Sequence, residues 1–243
     1  MGLSAAFLAL ESIVTGSALA SESQLNELRA SARGGMEQIF YSQTDLVADK
    51  WHHYLDIYDR HLARFQGSAM RFLEIGVQNG GSLQVWRRFF GPAADLRGLD
   101  IDPQCANLPR LDASVIIGDQ SDRQVLLSIA KGRSLDVVID DGSHNWCDQI
   151  ASFEALFPLL ANDGVYICED VHTSLVPEFS SQKAGPTFLD YVHGLTKLMH
   201  SAYVGGNPGI ARSIYAIHVY DSIVVVDKRI RPAPLRAVVG GKP

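Results

Sequence analysis

Five short runs of aliphatic and β-branched residues, each closed by glycine or a carboxylate, alternate with stretches of helical periodicity through the middle of this chain. The runs cover 71–77, 96–101, 113–118, 135–139 and 164–168, with helices expected over 82–90, 103–108, 121–131 and 145–160. Continuous apolar runs of this length mark strands buried on both faces. Alternating strand and helix requires right-handed crossovers, hence a mostly parallel sheet covered on both sides. Two later runs, 213–220 and 222–227, follow a helix expected at 186–201 and a loop carrying Gly205, Gly206 and Gly209. With little more than Asp221 between them they can join only as a tight antiparallel hairpin. The expected fold is therefore α/β, with seven strands, mostly parallel, ending in an antiparallel strand.

Upstream, Trp51, Tyr54, Leu55, Tyr58 and Leu62 recur at helical spacing, so residues 1–66 read as an N-terminal helical appendage. The sheet domain then occupies 67–230, and 231–243, rich in Pro and Gly, form a tail. A length of 243 residues suits one large domain better than two full-size ones. The net charge of −6 supplies no positive field for a phosphate backbone, so nucleic acid is not an expected partner. Cys105, Cys147 and Cys168 form no CxxC pair, which argues against a disulfide framework or a structural zinc site and for a reducing, cytoplasmic setting. Ala18-Leu19-Ala20 imitates a signal-cleavage site, but no Lys or Arg precedes the apolar stretch and Glu11 interrupts it. No apolar run approaches the roughly 18 residues that cross a bilayer, so no membrane association is expected.

Ligands of open α/β sheets sit beyond the carboxyl ends of the strands. The residues there are Glu74 through Ser82 after the first strand, Asp100 and Asp102 after the second, and Asp119 and Gln120 after the third. Asp140 through His144 follow the fourth, and Glu169 and Asp170 the fifth. Gly76, Gly80 and Gly81 permit close backbone approach, and the helix that follows offers free N–H groups to an anion. Their spacing is not Gly-x-Gly-x-x-Gly, so the dinucleotide fingerprint is absent. Asp100 stands where a carboxylate can accept both ribose hydroxyls, which fits a nucleoside-bearing cofactor. The competing reading is that such glycines and strand-end carboxylates are ordinary punctuation.

Asp141, Glu169 and Asp170 follow adjacent strands, which lie about 4.8 Å apart, so three carboxylates converge. They would repel one another unless a cation sat among them, and an all-oxygen donor set suits Mg²⁺ or a similar hard ion. Against this stand two plainer readings: Asp141 caps the next helix, and Glu169 with Asp170 is a solvated pair. His52, His53, His61, His172, His193, His200 and His218 are expected at surface or satisfied positions, lacking carboxylate neighbours at ligand spacing, although His172 is near enough to the acidic pair to line an acceptor site.

The segments DKWHHYLDIY (49–58), FLEIGVQNGGSLQVWRRFF, GLDIDP, GDQSD, VVIDDGSH and SFEALFPLLANDGVYICEDVHTS, in this order and spacing, resemble the class I S-adenosylmethionine-dependent methyltransferases. Within that Rossmann-like class the likeness is to the metal-dependent sugar O-methyltransferases of macrolide biosynthesis, of the mycinamicin type. The resemblance implies S-adenosyl-L-methionine and Mg²⁺ as cofactors and a glycosylated small molecule as acceptor. It implies that Glu74, Gly76, Gly80 and Ser82 hold the methionine part, Asp100 the ribose, and Asp119 with Gln120 the adenine, with Asp140 near the sulfonium or the methionine amino group. It further implies Asp141, Glu169 and Asp170 as metal ligands and His144 as the base. A sugar hydroxyl is a weak acid, so a Lewis acid beside an imidazole of pKa about 6.5 suits its deprotonation.

Segment 49–58 is similar to one that this family keeps near its active site, while simple packing of its aromatics is the plainer reading. The polar connection 171–185 has the length of a substrate lid. Homo-oligomers are common in the family. Three other readings stay open: a catechol-like phenol as acceptor, a nicotinamide oxidoreductase, and a non-catalytic partner resembling cephalosporin hydroxylase components.

Overall fold

A computed structural model of the chain describes residues 19–130, 132–180, 185–230, 232 and 234–241. The signal-like segment up to residue 18 lies outside the described residues, as do 181–184 of the expected lid.

The helices are α1 (Glu22–Ser31), α2 (Gly35–Tyr41), α3 (Tyr54–Leu62), α4 (Gly81–Phe90), α5 (Arg123–Ala130), α6 (Trp146–Leu156) and α7 (Phe188–His200). The strands are β1 (Arg71–Ile75), β2 (Asp95–Asp100), β3 (Ser114–Ile117), β4 (Leu135–Asp140), β5 (Leu160–Cys168), β6 (Ile214–Val219) and β7 (Val224–Lys228). They form one sheet in the order β3-β2-β1-β4-β5-β7-β6. β1 to β5 are parallel, and β7 runs antiparallel to both β5 and β6. The expected α/β class and the terminal hairpin are present. The last strand, however, is not at the edge: β7 inserts between β5 and β6. Its run Val224-Val225-Val226 is buried on both faces, whereas β6 exposes Tyr215 and Val219, so the more continuously apolar strand takes the interior place.

One face of the sheet, with Phe72, Ile139, Ile167 and Val225, packs against Met36, Leu55, Tyr58, Leu62, Trp86 and Phe90 of α2, α3 and α4. The other, with Leu73, Val138, Tyr166 and Val226, packs against α5, α6 and α7 through Leu126, Phe153, Leu156, Phe188 and Val192. From α2 onward the N-terminal helices are thus integral to the core, while α1 buries no residue. α3 follows from its sequence: Tyr54, Leu55, Tyr58 and Leu62 form the buried stripe, and Asp56 and Arg60 pair on the solvent side.

Most boundaries shift by a residue or more from expectation, the helix expected at 103–108 is a 3-10 turn over Pro103–Asn107, and two shifts have an evident cause. The helix expected through residue 160 ends at Leu156, because Pro158 breaks it into the short turn Phe157–Leu159, and β5 begins at once at Leu160. β1 stops at Ile75 because Gly76 takes a φ of 89°.

Candidate active site

The chain reverses direction across the sheet between β1 and β4, whose register sets Ile75 beside Asp140. Past that pair the two strands run on in contact, with the Asp141 amide donating to the Ile75 carbonyl at 3.0 Å. A Cβ at Gly76 would strike the Asp141 carbonyl, so this glycine is required by backbone-on-backbone packing inside the site. At Gly81 the amide donates to the Val47 carbonyl at 3.2 Å, and a Cβ would strike the backbone of Val47 and Ala48. The N-terminal segment therefore crosses the start of α4 directly.

The expected donor-site residues fall around this crevice, several of them already engaged. Asp100 accepts from the amides of Val77 (2.8 Å), Gln78 (2.9 Å) and Asp102 (2.8 Å), which fixes the glycine-rich turn. Glu74 is fully buried and accepts from the Ser82 hydroxyl at 2.7 Å and Trp86 Nε1 at 2.9 Å. Gln120 donates to Asp140 (3.2 Å) and accepts from the Ser143 amide (2.6 Å). Asp140 also accepts from the buried Tyr166 hydroxyl at 3.0 Å. Asp119 is exposed, and its carboxylate accepts from the Ser121 amide at 2.7 Å. Gly80, at φ 78°, caps α4.

Beyond β4 and β5 lies the acidic cluster. Asp141, His144 and Asp170 each present an atom within 4.8 Å of the others, with His144 Nε2 3.6 Å from Asp170 Oδ2 and 4.0 Å from Asp141 Oδ1. Glu169, 1% exposed, is not grouped with these three; Tyr58 donates to it at 2.6 Å and Lys50 Nζ at 2.8 Å. Lys50 also bonds Asp141 and stands 3.9 Å from Glu74. Asp170 accepts from Trp51 Nε1 at 3.0 Å and the Tyr54 hydroxyl at 2.8 Å. Gln78, His144 and Asp170 all take positive φ, at 49°, 58° and 52°, an uncommon conformation for non-glycine residues and one that gathers at functional sites. Thr173 donates to the His144 carbonyl at 3.1 Å and so ties the first turn of the 171–185 connection to the site wall. Described residues of that connection form two short turns, with Val171, Thr173 and Ser174 buried.

Burial dominates the electrostatics. It pushes the Glu74 carboxyl up to about 7 against the pull of Lys50, and the Asp140 carboxyl up to about 6 against the Tyr166 hydrogen bond. Burial also raises Asp141 and Glu169, again opposed by Lys50. For Lys50 itself burial disfavours the charge, but Asp141, Glu169 and Glu74 outweigh it and hold the ammonium well above the ordinary lysine value. Tyr54 and Tyr58 are raised by burial and by the neighbouring carboxylates, so they remain protonated donors. Carboxylates thus outnumber the ammonium that faces them, and the oxygen-rich donor set beside His144 fits a hard divalent cation.

Lys50, Trp51, Tyr54 and Tyr58 complete the site, although the sequence assigned them no role beyond lying in a segment like one near the family's active site. The available signal was Lys50, Tyr54 and Tyr58 at four-residue intervals, the tyrosines on the apolar stripe of α3 and the lysine four residues before its first residue, where a buried hydroxyl or ammonium must find a partner. The expectation that His61 and His218 lack a carboxylate neighbour is corrected: His218 Nε2 lies 2.9 Å from Asp227 Oδ2, and His61 is grouped with both.

The strand order, the glycine turn at its reversal and the carboxylates beyond β4 and β5 define the class I methyltransferase fold. The chain is similar to sugar O-methyltransferases of macrolide and tetracenomycin pathways. It is 34% identical over 194 residues to the mycinamicin VI 2''-O-methyltransferase of Micromonospora griseorubida, a match covering 73% of this chain and 48% of that one. It is 33% identical over 204 residues to the demethylmacrocin O-methyltransferase of Streptomyces fradiae, covering 76% and 51%. The chain therefore spans about half the length of the curated relatives it matches. Among solved structures, the MycE methyltransferase in complex with Mg, SAH and mycinamycin VI superposes with a TM-score of 0.68 at 32% identity, over 84% of this chain and 53% of that one. An O-methyltransferase from Bacillus cereus, 16% identical with a TM-score of 0.50 over 91% and 97%, shares the fold. No protein-family model matches the chain, and no helix among the described residues is long and apolar enough to cross a membrane.

Proposed function

We propose that this chain is the catalytic unit of an S-adenosylmethionine- and Mg²⁺-dependent O-methyltransferase acting on a sugar hydroxyl of a glycosylated small molecule. The observation that carries this reading is the convergence of Asp141, His144 and Asp170 within 4.8 Å at the mouths of adjacent parallel strands. Asp141, Glu169 and Asp170 would hold the metal, which when bound supplies Lewis acidity that eases loss of the hydroxyl proton. S-adenosylmethionine supplies a methyl group already activated on a sulfonium. Glu74, Gly76, Gly80 and Ser82 frame the methionine part, with Glu74 acting through its hold on Ser82 and α4. Asp100 takes the ribose hydroxyls, and Asp119 with Gln120 the adenine. Asp140, its carboxylate held by Gln120 and Tyr166, would stand near the sulfonium or the methionine amino group.

His144 accepts the acceptor's proton at an imidazole nitrogen, and the carboxylates of Asp170 and Asp141 within 4.0 Å stabilise the imidazolium so formed. Tyr54 and Trp51 orient Asp170, and Tyr58 orients Glu169. Trp51 and Phe179, whose ring centroid is 6.3 Å from that of His144, supply walls that exclude water. Similarity to sugar O-methyltransferases supports a saccharide over a catechol, and the absent dinucleotide fingerprint disfavours nicotinamide. A cytoplasmic setting fits the three free cysteines, and a homo-oligomer fits α1, none of whose residues is buried among the described residues.

Calorimetric titration with S-adenosylhomocysteine, with and without magnesium, followed by a panel of glycosides and catechols, tests the reading. Binding of the donor product and methylation of a glycoside are expected. Absence of donor-product binding, or transfer to catechols alone, would reject it.

A further inference from the structure

At the far end of α3 from the acidic cluster, a second group of ligating side chains meets across the edge of the sheet. His61 comes from α3, His218 from β6 and Asp227 from β7. Because Ala216 pairs with Asp227 and His218 with Val225, His218 and Asp227 are diagonal neighbours on the same face of the hairpin, the face that α3 covers. One nitrogen of each imidazole and one carboxylate oxygen lie within 4.8 Å of one another, and the two rings are 4.6 Å apart between centroids.

We propose that His61, His218 and Asp227 form a second metal site, one for a borderline first-row dication of the zinc type. Two imidazoles and a carboxylate are a zinc donor set with the fourth position open to water, unlike the oxygen-rich set at the acidic cluster. Bonds of about 2.0–2.2 Å at tetrahedral angles put neighbouring ligand atoms about 3.3 Å apart, within reach of small side-chain rotations here. Two details support the assignment. Asp227 Oδ1 is buried yet accepts no hydrogen bond among the described residues. Arg64 Nη2 stands 3.8 Å from it and donates instead to the Asp163 carbonyl at 2.8 Å. In addition, the Tyr220 hydroxyl lies 2.9 Å from His61 Nε2 and fixes the orientation of that ring beside His218.

The position gives such an ion a task. His61 follows Tyr58 by three residues and Tyr54 by seven, on the same stripe of α3, and the hairpin turn carries Ser222, whose carbonyl lies 2.8 Å from the Tyr54 hydroxyl. An ion joining α3 to β6 and β7 would clamp the helix that presents Tyr54 and Tyr58 to Asp170 and Glu169.

The test is zinc binding by the full chain in excess magnesium, read by metal analysis after dialysis and by the thermal midpoint, with cobalt(II) absorption reporting a tetrahedral site. His218→Gln and, separately, Asp227→Asn should each weaken zinc binding by more than about tenfold and remove the zinc-dependent rise in midpoint. Asp170→Asn, at the acidic cluster, should retain both. Zinc binding unchanged in His218→Gln and Asp227→Asn, or lost only in Asp170→Asn, would overturn the proposal, as would absence of any zinc-dependent rise in the parent chain.

Discussion

The Lys50 ammonium lies 2.8 Å from Glu169 Oε2 and bonds Asp141 on its other side, so a residue from the N-terminal segment links the ends of β4 and β5. Its side chain is 5% exposed. Removing that charge leaves buried carboxylates without their counterion, and breaking a buried pair in this way costs about 3–5 kcal/mol. Lys50→Met should lower unfolding stability by that amount in magnesium-free buffer, with part of the loss restored by magnesium. A decrease below about 1 kcal/mol in urea titration would show that Lys50 is not the counterion.

Tyr58 donates to Glu169 at 2.6 Å from within the core. Tyr58→Phe keeps the ring packed against Trp86, 4.9 Å away between centroids, and removes only the hydroxyl. The buried carboxylate then loses a donor, a change worth about 1–3 kcal/mol. Equilibrium unfolding reads it directly, and an unchanged midpoint would mean that Glu169 finds another partner.

The Glu74 carboxyl, raised by burial from 4.5 to about 7 with Lys50 opposing, binds its proton more tightly in the folded state. Its stabilising contribution is therefore full below about 4.5 and lost as pH rises through about 7. Over that window the metal-free protein should lose up to ~1.4 kcal/mol per pH unit from this residue. Glu74→Gln should flatten the profile; an unaltered slope would assign the effect to other groups.

Chelation with EDTA should abolish methyl transfer, and magnesium should restore it; full activity in chelator would remove the metal from the proposed reaction. His144→Ala should reduce turnover by about 10²–10⁴ while leaving affinity for S-adenosylhomocysteine nearly unchanged, as expected for a lost general base. If donor affinity falls instead, the imidazole belongs to the donor site.

Much of this arrangement was legible in the chain itself. Hydrophobic runs between glycines and carboxylates located seven strands to within a few residues, because burial on both faces of a parallel sheet leaves a continuous apolar signature in sequence. The same logic put Asp100, Asp119, Asp140, Asp141, Glu169 and Asp170 at one end of the sheet, since parallel strands all point the same way. Pro158 carried the early end of α6, though helical periodicity across it masked the break.

What local pattern could not supply was partnership between distant segments. Lys50 meets Glu169 across 119 positions and Tyr58 meets it across 111, and no periodicity encodes such pairs. The insertion of β7 between β5 and β6, and with it the meeting of His61, His218 and Asp227, likewise depends on which strand buries more apolar surface. Residue types therefore settled the elements and the end of the sheet that bears the chemistry. Tertiary packing alone decided which buried charges share a proton or a cation, because desolvation acts on neighbours in space.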